Sequence, residues 1–174
     1  MSRLPALAGK PIRVRFLPGL RVHRGRLVCG GTRGEEVHAG SFLRKREIVL
    51  SAELATQPRE LARIVLHELF HFAWLRAGNG LRRAYEELLK GEIERRARGE
   101  LGWSAERSKR RLRPGDIRGR TRRWRQYVCE SFCDSAAWLY SDLRRHEEFS
   151  LAARFRERRR RWFGAAFGAG EISI

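Results

Sequence analysis

Between Ile64 and Leu75 the chain reads I-V-L-H-E-L-F-H-F-A-W-L, and only His67, Glu68 and His71 in that run can ionise. Apolar residues occupy every other side of the helix this run would form, which marks it as central and buried. Ionisable groups buried there are costly unless they are paired or bind metal. At about 100° per residue, His67 and His71 stand about 40° apart on one face. Both imidazoles can then reach one ion, and neutral imidazole is a good ligand for Zn²⁺. Glu68 lies about 100° round from His67. It is poorly placed to ligate that ion but well placed as a general base for a water the ion activates. The competing reading is two core histidines bonded to backbone.

A tetrahedral zinc in a catalytic site needs a third protein ligand and one open position. No histidine follows His71 until His146, so a third nearby histidine is absent. The other route is a glutamate on a later helix. The third helix expected here, Thr121 to Arg145, offers Glu130 followed one turn on by Asp134. On its wheel Phe132, Ala136, Leu139 and Leu143 make an apolar stripe flanked by Cys129 and Cys133. Glu130 and Asp134 sit together at the edge of that stripe, and Ser131, Ser135 and Asp142 form a polar back. A solvated acidic pair remains open at this point. So does a structural site of two histidines with Cys129 and Cys133, which are soft ligands one turn apart. Glu86, Glu87 and Glu92 belong to a solvated helix face.

The rest of the chain supplies a setting. Ile12, Val14 and Phe16 alternate with arginines as in a half-buried strand. Leu20 to Val28 suits a strand or hairpin turning near Gly25, and Val37 to Leu50 a further strand region. Helix begins near Pro58, at a position where a missing N–H costs nothing, and runs to about Ala77. A second helix covers Leu81 to Arg98. Gly99 to Gly119 reads as an irregular, basic loop, and the stretch 99–120 as an insertion. A fourth, short helix spans Leu151 to Phe163, and the glycine-containing tail from Gly164 reads as loosely held. A length of 174 residues suits a single domain with a real core.

Three cysteines without a CxxC pair argue against a disulfide scaffold. Met1 to Lys10 lacks the apolar run of a signal peptide, and no stretch is long and apolar enough to span a membrane. These features point to a soluble, cytoplasmic protein. The formal net charge of +18 comes almost wholly from arginine. Either the partner is anionic or the coding bias favours arginine. Segments 107–125, with Trp124 interleaved, and 154–161 are the densest basic stretches. They would hold phosphates weakly and without regard to sequence.

The pattern His67-Glu68-x-x-His71 followed by Glu130-x-x-x-Asp134 resembles the gluzincin zinc metallopeptidases. The short length and upstream strands are similar to their minimal members, the minigluzincins and ImmA/IrrE-like proteins. The resemblance covers roughly Phe42 to Tyr140, with a 58-residue spacer between His71 and Glu130 that is long and basic for such a member. It implies His67, His71 and Glu130 as ligands of one Zn²⁺, Glu68 as the base, and Asp134 as an acceptor that fixes a ligand histidine's tautomer. It implies an α+β, zincin-like fold: a small twisted N-terminal sheet packed on the metal-binding helix, with further helices behind. It also implies a strand before that helix that binds an extended peptide or protein substrate, here through Gly40, Ser41 and Phe42. Tyr127 and Tyr140 are the tyrosines near enough on the third helix to weigh as oxyanion donors. SprT-like proteases pair the histidine motif with DNA association but carry a third histidine that this chain lacks. The alternative reading is a nucleic-acid-binding protein whose zinc site is structural or vestigial.

Overall fold

The computed structural model describes residues 3–30, 32–168 and 170–174. In chain order these form β1 (Leu7–Ala8), β2 (Arg13–Leu17), β3 (Leu20–His23), β4 (Arg26–Cys29), β5 (Glu35–Glu36), β6 (Ala39–Phe42) and β7 (Glu47–Ser51). The helices α1 (Pro58–Arg76), α2 (Asn79–Glu94), α3 (Trp103–Arg110), α4 (Pro114–Arg118), α5 (Arg122–Tyr140) and α6 (Ala153–Phe167) follow, and β8 (Ile172–Ser173) closes the series. The class is α+β: small sheets first, helices after. No helix of the described residues is long and apolar enough to cross a membrane.

The apolar run does become the central helix. Pro58 takes the first position of α1. One side of α1 packs Ile64 and Phe72 against Ile48 and Leu50 of β7 and Leu54 beyond it. Another side packs Leu66, Phe70 and Ala73 against Phe132, Ala136 and Ala137 of α5. Each large apolar side chain so buried contributes about 1.5–3 kcal/mol. Thr121 caps α5, its side chain accepting the Trp124 N–H, and the helix is buried along most of its length.

Three small sheets frame this pair of helices. β2 and β7 run parallel, and β6 pairs antiparallel to β7 with Ala39 opposite Leu50 and Phe42 opposite Glu47. β6 is therefore an edge strand. β3 pairs antiparallel with both β4 and β5, and the expected turn at Gly25 holds: Arg24 and Gly25 both have positive φ, as a tight two-residue hairpin needs. The alternation in β2 marks strand pairing more than burial. Val14 and Phe16 lie beside the fully buried Ile48 and Leu50, yet remain 46% and 47% exposed, because α1 covers β7 and β6 instead.

Several expectations fail for identifiable reasons. The supposed irregular stretch 99–120 holds α3 and α4. α3 packs closely on α5 through the small residues Ala105 and Ser108, which make no apolar stripe to read in the sequence. The described part of the tail is held: α6 runs on to Phe167, Ile172 is buried, and β8 pairs in parallel with β1. Ser131 and Ser135 are buried rather than facing solvent, because the Tyr85 hydroxyl lies within 3.0–3.2 Å of both hydroxyls. Glu92 is fully buried, held by Arg159 at 2.7 Å. Arg159 also binds Glu100 at 2.7 Å and Ser135 at 3.1 Å. Glu86 is buried against Arg120, so of the three acids assigned to a solvated face only Glu87 lies exposed. Among the described residues the interior thus withdraws Glu68, Glu86, Glu92, Glu100, Asp116 and Asp134 from solvent, against two arginines, Arg63 and Arg159.

Candidate metal centre

α1 and α5 lie side by side, and their facing surfaces bring the two motif halves together across 58 intervening residues. The Nε2 atoms of His67 and His71 stand 3.2 Å apart. Glu130 Oε2 lies 3.4 Å from His67 Nε2 and 3.7 Å from His71 Nε2. These three side chains form a cluster able to hold a metal ion. The long, basic spacer does not prevent the meeting, because α2, α3 and α4 fold back along the helix pair.

His67 is oriented from behind. Asp134 Oδ1 lies 2.6 Å from His67 Nδ1, so Nδ1 carries a proton and Nε2 faces the cluster, where a bound cation would displace any proton it holds. Asp134 is itself held by the Ala105 N–H, which donates to Oδ2 at 2.8 Å from the first turn of α3. That approach is possible because residue 102 is glycine. A Cβ there would lie 2.2 Å from Asp134 Cγ and 2.4 and 2.5 Å from its two oxygens. Gly102 has extended backbone (φ 178°), so space and not backbone conformation dictates the residue.

The other side of the centre is built differently. His71 Nδ1 faces two sulfurs, Cys129 Sγ at 3.5 Å and Cys133 Sγ at 3.4 Å. The hydrogen bond with Cys133 and then the contact with His71 draw the Cys129 thiol down to about 6, against burial. Burial pushes Cys133 well above the usual thiol range.

The acids around the cluster favour positive charge inside it. Burial disfavours a protonated His67, but Asp134 first, and then Glu130 and Glu68, outweigh it and hold its pKa well above the ordinary value. His71 is raised to about 8 despite burial, chiefly by Cys129, with Glu130 adding. Glu130 is lowered because the two histidines overcome its own burial.

Glu68 is buried and does not join the cluster of three. Its Oε2 accepts from the Ser41 hydroxyl, which also lies 3.1 Å from the Glu68 carbonyl oxygen. Ser41 sits on the edge strand β6, between Gly40 and Phe42. Leu27 of β4 packs where a Gly40 side chain would project. Of the candidate tyrosines, Tyr127 is fully buried and its hydroxyl donates to Glu100 at 2.6 Å, so it is unavailable to a substrate. Tyr140 stacks on Phe70. His146 stands 3.4 Å from Glu60 in a separate group with Glu148. Arg63 lies in that group and binds both carboxylates.

The basic stretches are less free than their composition suggests. Trp124 is fully buried and cannot stack on a base. Arg107, Lys109, Arg110 and Arg120 pair with Glu35, Glu100, Glu106 and Glu86. In 154–161, Arg159 is buried and Arg160 pairs with Glu157.

Sequence reasoning missed Gly102 and the bond from Ser41 to Glu68, while the meeting of Cys129 and Cys133 with His71 answers to the two-histidine, two-cysteine alternative left open above, with His67 facing away from the sulfurs. No local signal marks Gly102, since its meaning exists only once α3 meets Asp134. No family model, curated protein or solved structure matches the chain.

Proposed function

We propose that the chain is a zinc-dependent metallopeptidase of zincin-like architecture, akin to the gluzincins. The observation that carries this reading is the size of the ligand triangle. Zinc bonds of about 2.0–2.1 Å at tetrahedral angles require donor separations of about 3.3–3.4 Å. The three separations here are 3.2, 3.4 and 3.7 Å. His67, His71 and Glu130 would hold the ion. When bound, zinc would supply Lewis acidity toward a peptide carbonyl and would acidify a water.

The chain's own residues do the rest. Asp134 keeps the His67 proton on Nδ1. Ser41 binds Oε2 of Glu68, so Oε1 is the oxygen that would take a proton from the attacking water. Glu68 then returns that proton to the leaving amine. Gly40, Ser41 and Phe42 lie on an edge strand, where an extended peptide can add as a further strand.

The test is a pair of measurements. The Cys129→Ser/Cys133→Ser variant, which keeps only this site, should hold one Zn²⁺, lost when Glu130→Ala is added. Glu68→Gln should keep both zinc and fold and yet abolish peptide hydrolysis, because the amide cannot accept a proton. Turnover by Glu68→Gln at the wild-type rate would overturn the reading.

A further inference from the structure

His71 has two ring nitrogens, and only Nε2 is engaged by the cluster described above. We propose that Nδ1 of His71, with Cys129 and Cys133 of α5, forms a second metal site selective for a soft, thiophilic cation. The two sulfurs lie 3.5 and 3.4 Å from Nδ1. A cation bound at about 2.0–2.1 Å to nitrogen and about 2.3 Å to sulfur spaces those donors at about 3.6 Å. The three atoms are mutually close enough to share one ion.

Simple packing accounts poorly for this arrangement. A ring nitrogen has one in-plane direction for a proton or a lone pair, so Nδ1 can complete a hydrogen bond with one sulfur. Here two sulfurs flank it at nearly equal distance. One donor facing two equivalent partners is the geometry of a three-ligand cage. The donor set, two sulfurs and one imidazole, favours Cu⁺, Cd²⁺ or Zn²⁺ over the harder Mg²⁺ or Ca²⁺. Cys129 is partly exposed, which gives an ion a way in, while Cys133 closes the inner side.

Each thiol loses its proton to solvent as a metal–sulfur bond forms, and Nδ1 gives up any proton it carries as the metal–nitrogen bond forms. Two thiolates then neutralise one divalent cation, while Glu130 and Asp134 remain to balance an ion on the Nε2 side. The site rests on its own three residues and not on peptidase activity.

Cadmium titration tests it, because thiolate ligation gives an ultraviolet charge-transfer band that carboxylate and imidazole ligands do not. The protein, carrying Cys29→Ala to remove the exposed cysteine, is first given one equivalent of Zn²⁺ and then titrated with Cd²⁺. The band should saturate at one equivalent in this protein and in Glu130→Ala. It should be absent from the Cys129→Ser/Cys133→Ser variant. Since Cys133 is buried, Cys129→Ser alone is a milder variant that keeps the core, and it should weaken Cd²⁺ binding at least tenfold. Unchanged affinity in a folded Cys129→Ser variant, or no band in the Cys29→Ala protein, would overturn the proposal. A band that survives in Glu130→Ala while Glu68→Gln hydrolyses normally would sink the peptidase reading and leave this site standing.

Discussion

Replacing Gly102 by alanine places one methyl group against Asp134. The added carbon would lie 2.2 Å from Asp134 Cγ, where carbon atoms normally approach to about 3.5 Å. The carboxylate or the start of α3 must therefore move by more than about 1 Å, and overpacking of this kind costs about 1–3 kcal/mol. Asp134 cannot move freely, because it is tied to Ala105 N–H at 2.8 Å and His67 Nδ1 at 2.6 Å. If the second tie gives, zinc affinity should fall by roughly 10- to 100-fold. The sign of the effect depends on the neighbour. In an Asp134→Ala background the obstructing atoms are gone and the extended backbone accepts alanine. There Gly102→Ala should be neutral, or stabilising by about 0.4–1 kcal/mol through the unfolded chain. Urea denaturation of the metal-free wild type, both single variants and the double variant measures that reversal. Competition with a chromophoric chelator measures the zinc affinity. An equal cost of Gly102→Ala in both backgrounds would refute the argument, since the clash would then not be with Asp134.

Two further outcomes concern the buried ion pairs. Arg159→Met should cost about 3–5 kcal/mol in urea denaturation, because it leaves Glu92 and Glu100 buried with their main partner gone. A wild-type melt would show that the cluster is dispensable. Glu100 has a lowered pKa: burial would raise it, but Arg159 and Lys109 outweigh that. Its contribution is then complete above the ordinary value of 4.5 and drains away as pH falls through the depressed folded value. Stability should drop below about pH 5 more steeply in the wild type than in Glu100→Gln. Parallel slopes would count against it.

The core of the site was legible because α1 announces itself twice, by an unbroken apolar surround and by the four-residue spacing of His67 and His71. Glu130 could be nominated by elimination and helical phase, and the phase was right. The wheel of α5 misled at Ser131 and Ser135, since a serine's partner can be a tyrosine or an arginine far away in sequence. Glu92 and Arg159 misled in the same way: each reads as solvated alone, and their burial depends on meeting each other. α3 and α4 were invisible because such short helices gain their stability from docking, not from propensity or from an apolar stripe of their own. Asp116 was the available hint. Two residues after Pro114, it accepts the Arg113 N–H and the Thr121 hydroxyl and so pins α4 at both ends.

The withdrawal of acids into the interior also bears on how fast other molecules arrive. A surface stripped of much of its negative charge, on a chain already at +18, projects a positive potential outward for roughly 8–10 Å at moderate salt. Diffusing cations meet a barrier before they reach the acidic pocket between α1 and α5, and anionic peptides are drawn inward. Encounter kinetics therefore run opposite to the local chemistry. Added salt lowers the barrier, so metal uptake should accelerate with ionic strength while capture of acidic peptides slows.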